Sequence, residues 1–393
     1  MKPEILVLST SYPSDESDPS SVFLARLLSA IKRRGYRITL VAPSDGSFFG
    51  RRVVGGVDTV RFAYFWPKSM TMLTKSGGGV PENLRTSTLA RLQLVPMMVV
   101  FTVTAWLAGR SAGVIYANWL GAGIVGALLN VAGGTPLVVS FRGDDGYLAR
   151  DRPLWRTLTR WVSSRSAVIA PVSEEIKRIL VGLGVPESKF SLPRFGVDLD
   201  MFHPPAATAA KPNDSPVTIL FVGSLIPRKG LRDLLSALAH PSLASTRLDV
   251  VGDGMDRREL MALCRDLGLE GGTVWHGTLP PRDVARLMRE ADIFCLPSYM
   301  EGKPNVVREA MASGLPVVAS RVGGVPEMTS EGETAIIFDA GDVEALRNAL
   351  VRLVSDPDLR RKIGTAGYRR MAGSALTWDV TAEDFDTIFS NLS

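Results

Sequence analysis

Two glutamates eight positions apart mark the part of the sequence with the most suggestive chemistry. Glu301 stands in a predicted loop and Glu309 about 1.5 turns into the helix that follows, within PSYMEGKPNVVREAMASGLPVVAS at 297–320. Pro304 suits the first helical position, where its missing N–H needs no partner. The first amides of this helix would then have no intrahelical acceptor, and they belong to Asn305, Val306 and Val307.

The predicted helix start suits a negatively charged ligand. Unpaired N–H groups and the helix dipole both favour an anion at that end. A phosphate bound there, with hydroxyl groups donating to the carboxylates on either side, would use every polar group in the segment. Together these features describe a binding site for a nucleotide sugar.

A glycine turn with cations follows the first predicted strand of the second half. In VGSLIPRKG at 222–230, Gly223 permits a tight turn and Ser224 follows it. Arg228 and Lys229 would supply positive charge for a pyrophosphate. Taken alone the signal is weak, because many turns between strands and helices carry a basic residue.

Two further glycine turns follow predicted strands. In VVGDGMDRREL at 250–260, Gly252 and Gly254 bracket an aspartate, and SRVGGVPE occupies 320–327. Each is compatible with a ligand-binding loop and with an ordinary turn and helix cap.

Composition predicts a soluble globular protein without disulfides. A chain of 393 residues, 46% hydrophobic and 22% charged, favours two domains. Cys264 and Cys295 are predicted to be buried thiols. Three separated histidines without cysteine neighbours argue against a zinc site. The apolar run at the N-terminus is too short for a signal peptide and predicts a first buried strand.

Short apolar runs alternate with helical patterns, which predicts an α/β fold with doubly wound parallel sheets. Residues 199–216 have linker composition and divide the chain into domains at 1–198 and 217–375. Two such domains facing one another would form a ligand cleft at the carboxyl ends of their strands. Strands are predicted at 4–9, 37–42, 113–117, 136–141, 167–171, 189–192, 217–223, 247–251, 273–276, 292–296, 316–319 and 335–338.

The net charge of +5 is unevenly placed. Between 48 and 110, basic, aromatic and methionine residues are frequent, and only Asp58 and Glu82 are acidic. Such a composition predicts peripheral contact with an anionic membrane. A cationic groove for an acidic substrate and a solvated face are the alternatives. The basic residues are Arg51, Arg52, Arg61, Lys68, Lys75, Arg85, Arg91 and Arg110.

The segment LQLVPMMVVFTVTAWLAG at 92–109 reaches the threshold length for a membrane-spanning helix. Gln93, Pro96 and two threonines argue against spanning, as does its position inside an αβ pattern. We predict a buried or interfacial helix, part of a longer helix at 84–109.

Several segments in a fixed order carry a resemblance to a known family. They are GSLIPRKG between a strand and a helix, VVGDG, HG at 276–277, ADIFCLPS, two glutamates with seven residues between them, and GGVPE. In this order the chain resembles the C-terminal domain of the family 4 glycosyltransferases, which are retaining enzymes with the GT-B fold. The resemblance is most specific through 217–373 and looser over 1–198, where STSYPS, SFRGDD and FGVDLDMFHP carry it.

The resemblance implies a role for each matching residue. Glu309 would hold the ribose hydroxyls of the donor nucleotide, and Glu301 would lie beside the donor sugar ring. Lys229 would neutralise the leaving pyrophosphate, while the three helix amides would contact the phosphates or the sugar. Asp145 would lie near the sugar and the acceptor. The final helix, 376–393, would pack back on the first domain.

The resemblance also implies the chemistry. The leaving nucleoside diphosphate gains negative charge as the sugar becomes oxocarbenium-like, and preorganised cations and amides stabilise that charge. The family is thought to deliver the acceptor hydroxyl on the face from which the diphosphate leaves. No enzymic nucleophile, metal or other cofactor is then implied. Asp144 and Asp145 are therefore not interpreted as metal ligands, nor the two glutamates as a glycosidase pair.

The sequence departs from the family pattern at several positions. Arg142 replaces a common histidine before the glycine of the Asp145 loop, and YANW, with Tyr116 and Asn118, replaces HAHW. Ser224 stands where the family often has arginine. We therefore expect Arg142 or Arg228 to meet the phosphate charge. The alternatives for Arg142 are an anionic acceptor and neutral drift.

The predicted function is sugar transfer from a nucleotide sugar to a glycan or lipid-linked acceptor in surface polysaccharide or glycolipid assembly. The predicted location is the cytoplasm or the inner face of the cytoplasmic membrane, and no nucleic-acid partner is expected. A catalytically weak GT-B scaffold and another GT-B enzyme, such as an epimerase or phosphorylase, are the alternatives. Lys303 and Pro304, where the family often has Phe-Gly, are predicted to set donor preference.

Overall fold

Two compact α/β units make up the protein. The computed structural model describes residues 2–15, 18, 21–67, 70–74, 79–205, 215–373 and 376–392. Unit 1 comprises Met1–Phe195 and Trp378–Ser393, and unit 2 comprises Gly196–Thr377. Residues 206–214 of the predicted linker, and Lys68 and Lys75 of the predicted basic region, lie outside the described residues.

Unit 1 is built on a seven-stranded sheet. Its strands are β1 (Glu4–Ser9), β2 (Arg37–Pro43), β3 (Gly50–Val54), β4 (Val57–Phe62), β5 (Ala112–Asn118), β6 (Leu137–Ser140) and β7 (Val168–Ile169). Its helices before the second unit are α1 (Val22–Arg33), α2 (Gly79–Thr86), α3 (Thr88–Ala108), α4 (Trp119–Gly133), α5 (Asp144–Asp151), α6 (Pro153–Arg165) and α7 (Glu174–Gly182). The strand order is β3-β4-β2-β1-β5-β6-β7. All neighbours pair in parallel except β3 and β4.

The β3–β4 hairpin is absent from the predicted strands. Gly55 and Gly56 form its two-residue turn with φ of 55° and 78°. Positive φ at both positions is what a type I′ turn requires, and a Gly-Gly pair between β-branched residues is a recognised hairpin signal. By contrast, the predicted strand at 189–192 is wrong, because within it only Phe190 forms a bridge, to Ile169.

The predicted basic region does not form one uniform cationic surface. Arg51 pairs with Asp58 across the hairpin at an N–O distance of 2.6 Å. Arg61 is buried and pairs with Asp45 at 2.9 Å. Phe62 is also buried, whereas Trp66 is 81% exposed. Arg61 and Phe62 are therefore used inside unit 1, while Arg51 and Trp66 stay at its surface.

The predicted helix at 84–109 is two helices. Ser87 ends the first and caps α3, because its hydroxyl accepts from the Ala90 N–H at 3.2 Å. Within the described residues, α3 is the one helix long and apolar enough to cross a membrane. Its inner face packs against β1, β2 and β4, with Gln93, Met97 and Phe101 buried. The helix is thus part of the layer that covers the sheet.

Unit 2 repeats the doubly wound pattern with six parallel strands. They are β8 (Thr218–Val222), β9 (Arg247–Val251), β10 (Thr273–Gly277), β11 (Ile293–Leu296), β12 (Val317–Ser320) and β13 (Ala335–Phe338). The helices are α8 (Leu231–Leu238), α9 (Arg257–Asp266), α10 (Pro281–Glu290), α11 (Asn305–Ala312), α12 (Val325–Met328), α13 (Val343–Ser355) and α14 (Pro357–Gly373). The order is β10-β9-β8-β11-β12-β13, and the strands are apolar runs because helices cover both faces.

The last helix, α15 (Trp378–Ser390), belongs to unit 1. Its Phe385 and Phe389 rings pack on Tyr116 of β5, with centroids 5.0 and 5.8 Å away. Asp386 accepts from the Tyr36 hydroxyl at 2.7 Å and pairs with Lys2 at 2.6 Å. The first unit is therefore completed by residues from the far end of the chain.

Candidate functional site

The glycine turns predicted to bind ligand lie at the carboxyl ends of β8 and β9. The Gly223 N–H donates to the Val251 carbonyl at 3.0 Å, which ties the two turns together. Gly252 has φ of 132°, and a Cβ there would lie 1.9 Å from the Gly223 oxygen. A Cβ on Gly254 would lie 2.3 Å from the Leu225 oxygen. The backbones of the two turns therefore pack directly on one another, and Ser224 is exposed in the turn after β8.

The loops that follow β8, β11 and β12 are also held together through glycines. Gly230 has φ of 66°, and a Cβ there would meet the Pro297 oxygen at 1.9 Å. The Tyr299 N–H donates to the Arg228 carbonyl at 2.7 Å. The Gly324 N–H donates to the Gly302 carbonyl, also at 2.7 Å. Because these contacts are main-chain contacts, the Glu301 loop is fixed from both sides.

Lys229 and Glu301, which lie 72 positions apart in the sequence, meet in this loop cluster. The lysine Nζ lies 2.5 Å from Glu301 Oε1, and both side chains are largely buried. Ser298 donates its hydroxyl to the same carboxylate oxygen at 2.7 Å. The lysine therefore has one charged acceptor already, and its charge is balanced inside the site. Sequence analysis missed Ser298, because a serine next to a proline is common in loops.

The start of α11 differs in detail from the prediction. Pro304 is the N-cap, not the first helical residue, with φ of −68° and ψ of 117°. Its carbonyl accepts from the Val307 N–H at 3.3 Å, so that amide has a partner. In the described chain the N–H groups of Asn305 and Val306 donate to no protein acceptor. Two amides, instead of three, are therefore available to an anion.

Glu309 lies one turn beyond Asn305 on α11 and is half-buried. The residue before it, Arg308, is buried, and its guanidinium donates to the Asn305 side-chain oxygen. Sequence analysis missed Arg308 because an arginine in a helix is normally a surface residue. It places a buried cation in the first turn of α11, hydrogen-bonded to the side chain of Asn305.

Lys303 and Glu327 form a second ion pair in unit 2, with an N–O distance of 3.3 Å and about a fifth of each side chain exposed. A Cβ on Gly324 would lie 2.9 Å from Lys303 Cγ, so the second glycine of GGVPE makes room for this lysine. The pair joins the Glu301 loop to α12.

In unit 1, Asp145 is held by the loop that follows β6. Its Oδ1 accepts from the N–H groups of Arg142, Gly143 and Gly146 at 2.9–3.1 Å. Its Oδ2 is buried and has no hydrogen-bond partner among the described residues. Burial raises the pKa of Asp145 to about 6, although the three backbone donors lower it.

Arg142 lies in a cage of neutral groups. Its guanidinium donates to Asn118 Oδ1 at 2.8 Å and to the Tyr116 hydroxyl at 3.1 Å. Its Cζ lies over the rings of Phe23 and Phe195, 4.5 and 5.1 Å from their centroids. Burial lowers the pKa of Arg142, while Tyr116 and then Asp145 raise it. The altered YANW and RGDD segments are therefore one structural cluster.

The backbone around this cluster adopts unusual conformations. Trp119, directly after Asn118, has φ of 67°, which is strained for a non-glycine residue. Gly143 has φ of 140° and ψ of −79°, which favours glycine. The Asn118 Nδ2 is buried without a partner among the described residues. Strain and unsatisfied polar atoms together are features of functional sites.

Both halves of the chain match models of known protein families. Residues 20–194 match the glycosyl transferase 4-like domain, and residues 207–370 match glycosyl transferases group 1.

A relative from Mycolicibacterium smegmatis is similar over much of the chain. It is the GDP-mannose-dependent alpha-(1-6)-phosphatidylinositol monomannoside mannosyltransferase, 31% identical over 270 residues, which cover 63% of this chain and 70% of that protein. Other matched relatives align over 44% and 55% of their length. The chain thus spans about half the length of several curated relatives that it matches.

Solved structures share the whole fold at low identity. Sucrose-phosphate synthase from Thermosynechococcus elongatus superposes with a TM-score of 0.79 at 22% identity, covering 99% of both chains. HepE from Anabaena, solved in complex with UDP, gives a TM-score of 0.73 at 19% identity, covering 99% of this chain and 100% of HepE.

Proposed function

Because the chain belongs to the group 1 glycosyltransferases, we propose that it moves a sugar from a nucleotide-diphosphate sugar to a glycan or lipid-linked acceptor, with retention of anomeric configuration. Its two α/β units have the predicted GT-B fold, which the solved structures share. The observation that carries the proposal is the cluster of Lys229, Glu301 and Ser298 just before the available amides of α11.

The donor diphosphate is proposed to bind at the carboxyl ends of the unit 2 strands. The amides of Asn305 and Val306 would donate to phosphate oxygens, and buried Arg308 would add positive charge behind them. Glycines at 252 and 254 let the loops after β8 and β9 pack closely, which would form one wall of the donor site. Glu309, half-buried on the same helix, would accept from the ribose hydroxyls.

Lys229 is proposed to stabilise the leaving group. In the free protein its charge is balanced by Glu301, which also fixes the position of the ammonium group. As the bond to the sugar breaks, negative charge grows on the bridging oxygen, and a preorganised cation stabilises it without reorganisation of solvent. Glu301 would then lie beside a ring that becomes oxocarbenium-like. In this proposal protein groups supply the positive charge, and no metal or other cofactor is needed.

Asp145 and Arg142 are proposed to serve the acceptor side of the reaction. The buried Asp145 Oδ2 has lone pairs that no described donor uses, and we propose that binding opens this oxygen to a sugar or acceptor hydroxyl. Arg142 is already bound to Asn118 and Tyr116, so it would act from a fixed position toward an anionic group of the donor or the acceptor.

The relatives support a nucleotide donor and a lipid-linked acceptor. HepE was solved with UDP, and the mycobacterial relative is named for a GDP-mannose donor and a phosphatidylinositol-linked acceptor. We propose that this chain works in glycolipid or polysaccharide assembly in the cytoplasm, where nucleotide sugars are made, or at the inner face of the membrane.

A donor-binding experiment tests the proposal. Thermal unfolding is measured with UDP-, GDP- and ADP-sugars, because a ligand that binds the folded state raises Tm. We expect one nucleotide class to stabilise the chain and Glu309→Ala to abolish that shift. Glu259→Ala, at an exposed position on α9, is the matched control. No shift with any donor would contradict the proposal.

Turnover separates the enzyme from the alternative of a binding scaffold. Slow release of free sugar from the bound donor, lost in Glu309→Ala, would support catalysis. The anomeric configuration of the product, followed by NMR, tests retention, and unchanged rates after exhaustive chelation test metal independence. Donor binding without hydrolysis or transfer to any acceptor would favour the scaffold.

A further inference from the structure

The outer face of α3 carries a continuous stripe of exposed apolar side chains. Each of them is 51–70% exposed, and only 28% of the most apolar window of the helix is buried. Their spacing of three and four residues places them on one side of the helix, opposite the face that packs on the sheet. This α3 stripe consists of Leu92, Val95, Val99, Val103 and Trp106.

The stripe continues onto α4 across an open apolar groove. Leu128 and Val131 of α4 are 42% and 57% exposed. A contiguous exposed apolar surface on a folded domain marks an interaction site, since single exposed apolar residues are common but patches are not. The groove is lined by Met98, Val99, Thr102, Val103, Ile124 and Leu128.

The surroundings of the stripe favour an anionic partner. From Asn83 to Gly143, a stretch that includes α3, β5 and α4, the sequence contains no Asp or Glu. Arg91 and Arg110 stand exposed at the two ends of the stripe, and neither forms an ion pair with a carboxylate of the described residues. The Arg110 guanidinium lies over the Trp106 ring, 4.6 Å from its centroid.

We propose that the α3 stripe docks unit 1 on an anionic lipid bilayer, with α3 lying in the plane of the interface. The aliphatic side chains would enter the boundary between headgroups and acyl chains, and Trp106 would sit at headgroup depth. Arg91 and Arg110 would contact lipid phosphates at either end.

Spanning is incompatible with the inner face of α3. Gln93 is buried there and accepts from the N–H groups of Met72 and Leu73 at 2.9 and 3.2 Å. It also donates to the Met70 carbonyl at 2.7 Å. Withdrawing α3 into a bilayer would break these bonds and uncover Phe101, which has no exposed surface. The helix therefore stays on the sheet and offers only its outer face.

A second copy of the chain suits this surface less well. An isologous contact would bring Arg91 and Arg110 of two chains together on helices that carry no carboxylate. Repulsion between like charges would oppose such a dimer, whereas lipid phosphates would neutralise them. Charge complementarity thus selects the bilayer over self-association.

The test uses the full chain without donor or acceptor. Co-sedimentation is measured with phosphatidylcholine vesicles and with vesicles that also contain phosphatidylglycerol. We expect binding to the anionic vesicles that weakens with salt, and a loss of about 10-fold or more in Val95→Glu with Val99→Glu. Arg91→Glu with Arg110→Glu should also weaken binding. Leu154→Glu, at a position on α6 that is 68% exposed, is the matched control and should bind like the wild type.

Two results would overturn the proposal. One is wild-type binding retained in the Val95→Glu, Val99→Glu variant. The other is no binding of the wild type to anionic vesicles, whether the chain is then monomeric or forms a dimer through this face. Thermal unfolding is measured for each variant to check that it is folded. Because vesicle binding needs no nucleotide sugar, its failure is separate from a failure of the proposed transferase activity.

Discussion

The two units hold their charged residues at the carboxyl ends of parallel strands in different electrostatic states. In unit 2 the charges are paired, Lys229 with Glu301 and Lys303 with Glu327. In unit 1, Arg142 donates to neutral oxygens and Asp145 keeps one buried oxygen without a partner. Each buried unsatisfied polar atom costs about 1–3 kcal/mol of stability. The charged side chains of unit 2 thus have counter-ions in place, whereas unit 1 keeps a buried carboxylate oxygen without a described donor.

The largest effect is expected when the unit 2 pair is broken. Lys229→Ala should lower kcat about 10²–10³-fold, because the leaving diphosphate loses its cation. It should also destabilise unit 2 by about 3 kcal/mol, since Glu301 is left buried without its counter-ion. Transfer kinetics and urea unfolding measure the two effects.

A double variant then sharpens the comparison. Lys229→Met with Glu301→Gln removes both charges and should recover most of the stability without recovering activity. Arg232→Ala, which removes an exposed cation on α8, should change neither. Stability that stays low in the double variant would show that the ion pair is not what Lys229→Ala disrupts.

Asp145 should make the stability of unit 1 depend on pH. Its folded pKa, about 6, lies above the unfolded value, so the folded state binds its proton more tightly. Its stabilising contribution is complete below about pH 4 and is lost as pH rises through about 6, a change of about 3 kcal/mol. Asp145→Asn should remove this fall from the profile of unfolding free energy against pH. Asp151→Asn, at the exposed end of α5, should leave it in place, and a fall that survives in Asp145→Asn would refute the assignment.

Replacement of Arg142 should have an intermediate effect. Arg142→Ala removes the hydrogen bonds to Asn118 and Tyr116 and should lower kcat/KM about 10–100-fold, the value of one or two charge-assisted hydrogen bonds. A rise in the KM for the donor would assign Arg142 to the diphosphate, and a rise in the KM for the acceptor would assign it to an anionic acceptor. Unchanged kinetics would show that the arginine has no part in turnover.

The smallest effect is expected at Lys303. Because its pair with Glu327 is partly exposed, Lys303→Ala should cost no more than about 1 kcal/mol of stability. We expect it to alter the ratio of kcat/KM between UDP- and GDP-sugars a few-fold, since it fixes the loop that carries Glu301. An unchanged ratio would remove Lys303 from donor selection.

The sequence was sufficient to predict the fold class, because apolar runs and helical periods alternate along both halves of the chain. It was also sufficient for the turns at Gly223, Gly252 and Gly254, where glycine and a preceding strand are both local signals. The β3–β4 hairpin carried such a signal in Gly55 and Gly56, but the surrounding arginines favoured a surface interpretation instead.

The side-chain partners in both sites depend on tertiary contacts that no local pattern contains. Lys229 and Glu301 meet only because β8 and β11 are neighbours in the sheet. The hydrogen bond from Val307 to Pro304 depends on the ψ angle of one residue. Arg308 is buried because of packing around α11. Its residue type alone predicts an exposed position.

The position of α15 has a consequence for the order in which the protein can be made. A ribosome that synthesises the chain from its N-terminus completes all of unit 2 before it reaches Phe385 and Phe389. Until then Tyr116, whose hydroxyl holds Arg142, lacks the aromatic rings that cover it. The surface of the first unit that α15 later covers therefore stays exposed while the second unit is synthesised. In a circular permutant that begins with 378–390, α15 is available from the start of translation. We expect this variant to cover the apolar surface earlier and to need chaperones less for folding.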